Sequence, residues 1–240
     1  MYLCRNSGKR YNYHVFVQIV LSGDKDMNDA LVYILEMIGT VAFAWSGAMV
    51  GIRKNLDIFG VIVLGVVTAV GGGVCRDLLL GITPPNMFLN PAYALVAFAT
   101  ALLLFLIAYK KQMLLESKTM LRYERLMNFF DALGLGIFSV VGVNVGYSCG
   151  HKSKFFLLFL GVITGIGGGI MRDLLAGELP VVLYKRIYAV AAIAGAGICA
   201  YLIEIDDYLA AALGAAVVVC IRMLATHYAW NLPKIVQEKK

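Results

Sequence analysis

Two stretches of this chain are near copies of each other. "LGVVTAVGGGVCRDLL" (Leu64–Leu79) and "LGVITGIGGGIMRDLL" (Leu160–Leu175) align without a gap at an offset of 96 residues. Thr68 falls on Thr164, Arg76 on Arg172, Asp77 on Asp173, Gly81 on Gly177 and Pro84 on Pro180. Upstream, after one gap, "EMIGTVAFAWSGAMVG" (Glu36–Gly51) falls on "DALGLGIFSVVGVNVG" (Asp131–Gly146), pairing Glu36 with Asp131, Gly39 with Gly134 and Phe43 with Phe138. Chance does not give so many matches, so one structural unit is used twice.

The copies lie in long, continuous apolar runs. Of 240 residues 60% are hydrophobic and 15% charged, against about 25% charged in soluble domains. Backbone polar groups in lipid must be satisfied within the spanning segment, which leaves helices or closed barrels. The runs do not alternate, so helices are expected. Seven spans follow: Ala30–Ile52, Ile58–Leu80, Pro91–Tyr109, Asn128–Tyr147, Phe155–Ala176, Tyr188–Ile205 and Tyr208–Ala225. Each repeat holds three of them. Three is odd, so the second copy enters the membrane from the opposite side. The expected fold is an all-α membrane protein of two inverted three-helix repeats plus a seventh helix. Its parts are an N-terminal extension (1–29), the first repeat (30–109), a basic cytoplasmic linker (110–127), the second repeat (128–205), the seventh helix (206–227) and a cytoplasmic tail (228–240).

Basic residues set the orientation. Thirteen fall in one set of loops and tails: Arg53, Lys54, Lys110, Lys111, Lys118, Arg122, Arg125, Lys185, Arg186, Arg222, Lys234, Lys239 and Lys240. The other set holds Lys25, Lys152 and Lys154, with Arg5, Lys9 and Arg10 further off. The N-terminus is therefore expected outside and the C-terminus in the cytoplasm, in a multi-pass protein of the plasma (inner) membrane. The formal charge of +6 reads as cytoplasmic loops facing anionic lipid, not as a nucleic-acid surface.

The triple glycines Gly71, Gly72, Gly73 and Gly167, Gly168, Gly169 stand where a helix gains least from them. Each costs roughly 1 kcal/mol in a helix interior. Broken helices at matching positions of two inverted halves mark an ion or substrate site at the midplane. A break in spans two and five is therefore favoured over simple close packing, which remains the better reading of the GxxxG patterns at Gly47–Gly51 and Gly142–Gly146. Thr68 and Thr164, one turn earlier, offer hydroxyls as cation ligands or bond back to their own helix. A bulky residue at Gly168 is expected to fill the pathway and leave the protein folded.

Arg76, Asp77, Arg172 and Asp173 are ionisable groups inside spans. They either brace the fold or face the permeating species. Glu36 and Asp131 lie near the expected starts of spans one and four, where the helix dipole favours a carboxylate. Their matching positions suggest pairing with an arginine of the same or the opposite half. The five cysteines read as apolar fillers, with no disulfide framework. No phosphate-binding loop, HExxH or catalytic triad is present, and the three histidines are isolated, so neither an enzyme nor a metal centre is expected.

Two copies of GGGxxRDxLxxG, each preceded by an [ED]xxG…F…G segment, with seven spans and the C-terminal "RMLATHYAWNLP" (Arg222–Pro233), resemble the bacterial relatives of the trimeric intracellular cation (TRIC) channels. The same bacterial family is described as glycine transporters. The resemblance covers about Leu31 to Pro233. It implies a homotrimer with one pathway per subunit, lined by spans two and five at Gly71–Gly73 and Gly167–Gly169. It also implies passage of potassium, bound lipid at subunit interfaces, and no resident cofactor or soluble protein partner. A carrier for a small amino acid such as glycine is the alternative, because a broken helix offers N–H groups to a carboxylate and carbonyls to an ammonium.

Overall fold

The computed structural model describes residues 2–3, 10–11, 25–111, 117–184, 187–228 and 230. Two short strands, β1 (Tyr2–Leu3) and β2 (Arg10–Tyr11), pair antiparallel. The helices are α1 (Lys25–Arg53), α2 (Ile58–Leu79), α3 (Asn86–Leu89), α4 (Ala92–Lys111), α5 (Ser117–Ser148), α6 (Lys154–Leu175), α7 (Val181–Tyr184), α8 (Tyr188–Leu202) and α9 (Asp207–His227).

Six of these, α1, α2, α4, α5, α6 and α9, are long and apolar enough to cross a membrane. Of the seven expected spans, the sixth, α8, falls short at 15 residues. At 1.5 Å per residue it reaches about 22 Å, less than the roughly 30 Å hydrocarbon core. The expected linker is largely helical: α5 begins at Ser117, well before the expected start at Asn128.

The helices pack as two triads. In the first, α1, α2 and α4 touch one another; in the second, α5, α6 and α8 do. The triads meet through α1 against α5 and α2 against α6, and α9 packs on α5 and α8 alone. Local chemistry repeats as well. Asp57 caps α2 by accepting from Gly60 N, and Ser153 caps α6 by accepting from Phe156 N. Both helices end at a left-handed glycine, Gly81 (φ 70°) and Gly177 (φ 68°). There Ile82 N donates to Asp77 O and Glu178 N to Asp173 O, closing each helix with the same C-terminal motif.

The glycines do not break the helices. α2 and α6 run as uninterrupted α-helix through Gly71–Gly73 and Gly167–Gly169. The expected unwinding is therefore corrected. What the glycines provide is a close crossing. A Cβ on Gly72 would strike the carbonyl oxygen of Thr164, and one on Gly168 the carbonyl oxygen of Thr68. A Cβ on Gly167 would sit 3.1 Å from Gly72 Cα. The backbones touch where other residues would hold them apart, as small residues permit in membrane helices.

One cysteine expectation also changes. Cys149 is disulfide-bonded, whereas Cys75, Cys199 and Cys220 are free.

Candidate functional site: two charged cavities flanking a glycine crossing

At the α2 end of the first triad, Arg76 is almost fully buried. Its Nη1 donates to Glu36 Oε1 at 3.0 Å and its Nε to Asp77 Oδ1 at 2.9 Å. Tyr93 OH donates to the second Glu36 oxygen at 2.5 Å. Asp77 Oδ2 accepts from the backbone N–H of Asn86 at 2.8 Å, tying down the start of α3.

The second triad repeats the plan. Arg172 Nη1 donates to Asp131 Oδ1 at 2.5 Å and Nε to Asp173 Oδ1 at 2.8 Å. Asp173 Oδ2 accepts from Val181 N at 2.8 Å. Two contacts have no counterpart among the described interactions of the first triad. Arg172 Nη1 also donates to Ser46 Oγ of α1 at 2.6 Å, and Arg222 Nη2 of α9 reaches Asp131 Oδ2 at 3.4 Å. A carboxylate with two charged donors satisfies most of its lone pairs, which is the condition for burying it at all.

Each arginine thus pairs with the carboxylate of its own half. Glu36 and Asp131 are not terminal residues: α1 begins eleven residues before Glu36 and α5 fourteen before Asp131. The dipole reading is corrected, since that effect fades within the first turn. Arg222, counted with the loops, is a buried residue of α9.

Each cluster faces a cavity. The first is lined by Glu36, Thr40, Gly73, Arg76, Asp77 and Tyr93 among others. The second is lined by Arg53, Asp131, Arg172, Asp173, Glu178 and Arg222 among others. The space open to water centres is about 30 Å³ and about 50 Å³, and about 10–15 Å³ holds one water. Both cavities can therefore be wet. They lie at opposite ends of the bundle: α1 supplies Glu36 to one and Arg53 to the other, about 25 Å apart along the helix.

Between them lie the glycine crossing and the ring of Phe43, while Phe138 lines the first cavity. Phe43 and Phe138 sit with centroids 5.2 Å apart. Phe43 fills the notch at Gly134, and Phe138 the notch at Gly39. Of the expected pore glycines, Gly73 alone lines one of these two cavities; Gly71, Gly72, Gly167, Gly168 and Gly169 belong to the crossing or its flanks. The hydroxyls of Thr68 and Thr164 donate back to Leu64 O (2.5 Å) and Leu160 O (2.6 Å) and press against Gly47 and Gly142. They line neither cavity. Ser46 stood out from the sequence only as a polar residue inside a span, and Tyr93 and Arg222 were not singled out for the site. Tyr93 had a readable signal, because Tyr188 follows it at an offset of 95. Arg222 had none, since α9 lies outside the repeat.

A family profile described as glycine transporter matches residues 33–109 and again 128–204. The chain belongs to that family. A UPF0126 membrane protein of Deinococcus radiodurans is 41% identical over 202 residues, covering 83% of this chain and 89% of the relative. The UPF0126 inner membrane protein YadS of Escherichia coli (strain K12) is 38% identical over 206 residues, covering 85% and 95%. Among solved structures, the TRIC trimeric intracellular cation channel orthologue from Rhodobacter sphaeroides has 35% identity and a TM-score of 0.75, covering 83% of this chain and 99% of that one. A prokaryotic TRIC channel in 0.5 M KCl has 33% identity and a TM-score of 0.76, covering 85% and 99%. The glycine-transporter family therefore shares the TRIC channel fold. This chain is a multi-pass, all-helical membrane protein of that fold, and its relatives are membrane proteins of channel or transporter type rather than enzymes.

Proposed function

We propose that this protein is a monovalent cation channel of the inner membrane, chiefly for potassium. It works as a homotrimer with one pathway in each subunit. The observation that carries this reading is the pair of charge-lined cavities at opposite ends of one subunit, separated by a glycine crossing and two phenylalanines. The likeness to solved TRIC channels supports it. Ions wait in each cavity among carboxylates and cross a short apolar neck, and weak binding at each end keeps them moving. The two triads are inverted copies related by an axis in the membrane plane, and the repeated Arg–carboxylate contacts support that relation. The end carrying Arg53, Asp131 and Arg222 faces the cytoplasm, as the basic loops argue. Lipid fills the grooves between subunits.

A second reading is favoured by the family's description as glycine transporters. Each cavity holds an arginine beside carboxylates, a pairing that suits the two ends of a zwitterion. Purified protein in planar bilayers separates the two. Unitary currents reversing at the potassium equilibrium potential support the channel. Saturable uptake of labelled glycine into liposomes, without unitary currents, overturns it.

A further inference from the structure

The two cavities are chemically alike in plan and unlike in charge. Among the described residues, the formally charged ones lining the first are Glu36, Asp77 and Arg76, which leave one net negative charge. Those lining the second are Asp131, Asp173, Glu178, Arg53, Arg172 and Arg222, which cancel. At the mouth Glu178 is held by both Arg53 (3.0 Å) and Lys54 (2.9 Å); in the inner cluster the difference is Arg222. Without it, Asp131, Asp173 and Arg172 would repeat the single negative charge of the first cluster.

Arg222 is held where it can do this. It is 3% exposed, its Nη2 lies 3.4 Å from Asp131 Oδ2, and its guanidinium sits 4.5 Å above the ring centre of Tyr188. The first triad gives the equivalent carboxylate position to Tyr93, a neutral donor, on Glu36. The second triad gives it to a fixed cation from the unrepeated helix α9. An arginine over an aromatic face and against a carboxylate keeps its charge and its orientation.

We infer that Arg222 sets the electrical asymmetry of the pathway. It neutralises the inner cluster at the Asp131 end, so cations concentrate more at the Glu36 end and the conductance rectifies. This rests on the channel reading above. One uncompensated charge a few ångströms from a hydrated ion enriches it on the order of three-fold, and salt screens the effect.

The test uses single-channel currents of the full chain at 0.1 M and 1 M KCl. The wild type is expected to pass about three-fold more current in one direction at 0.1 M KCl, and to approach symmetry at 1 M. Arg222→Met leaves one negative charge in each inner cluster, so the current ratio should fall toward one while conductance rises. Arg222→Lys, and the pair Arg222→Met with Asp131→Asn, restore neutrality and should rectify like the wild type. Should Arg222→Met not assemble, Arg222→Gln keeps a donor to Asp131 and carries the same expectation. A conducting wild type that does not rectify, or a neutral variant that rectifies unchanged, overturns this inference alone. A reconstituted wild type that passes no current overturns the channel reading, and the inference with it.

Discussion

Gly168 of α6 rests on the backbone carbonyl of Thr68 in α2, closer than any Cβ allows. The obstacle is main chain, so it cannot rotate away. Gly168→Ala is therefore expected to part the two helices and cost about 1–3 kcal/mol, as overpacking does. Gly73→Ala meets nothing nearer than Arg76 Nη2 at 3.8 Å, and gains up to about 1 kcal/mol of helix propensity. Thermal unfolding in detergent should show a lowered midpoint for the first and an unchanged or raised one for the second. A leucine at Gly168 should unfold the crossing rather than merely plug a route, contrary to the expectation from sequence.

Arg172 joins three helices. It holds Asp131 of α5, Ser46 of α1 and its own neighbour Asp173. Removing one partner of a buried ion pair costs about 3–5 kcal/mol, because the other is left without compensation. Arg172→Ala should therefore lower the unfolding midpoint and the yield of assembled protein by size-exclusion chromatography. Arg172→Lys should recover part of the loss, since an ammonium cannot span two carboxylates in the same plane. An intact assembly with altered ion preference would contradict this bracing role.

The repeat was legible because it is written in identities: Arg76 with Arg172, Glu36 with Asp131, Gly81 with Gly177. That sufficed to place the charges inside apolar helices. It did not say what the glycines do. A glycine run permits a break or a close contact, and only the neighbour decides; here that neighbour is another glycine helix, and contact wins. Pairing within each half was hidden for the same reason, since α1 and α5 extend further than apolarity shows and carry Glu36 and Asp131 deep into their own triads. Arg222 was hidden differently. It sits near a chain end rich in basic residues, where a helix-interior arginine looks like a loop charge.

Tyr93 and Tyr188 occupy matching places and do different work. Tyr93 OH donates to Glu36, whereas Tyr188 OH faces Asp131 without a hydrogen bond of full geometry. Tyr93→Phe deprives a buried carboxylate of a donor and should cost about 1–3 kcal/mol. Tyr188→Phe keeps the ring beneath Arg222 and should change stability by under about 0.5 kcal/mol. Parallel thermal melts of the two variants check the contrast, and equal losses would show that the halves hold their carboxylates alike.

Phe43 and Phe138 pack together, each seated against a glycine of the other triad, with Phe138 lining the first cavity; in the proposed pathway they form its apolar neck. Bulk water leaves a narrow apolar constriction, so such a neck limits ion passage by dewetting. Phe43→Ala removes one side of it. The cost in stability should be about 3–5 kcal/mol, since the ring is 1% exposed. The protein that survives should pass more current per opening than the wild type, because the new space joins two cavities that already hold polar groups. Phe43→Leu refills most of the volume and should conduct like the wild type. Unitary conductance at matched potassium concentration measures both. An alanine variant that assembles and conducts no better would move the narrow point of the pathway elsewhere.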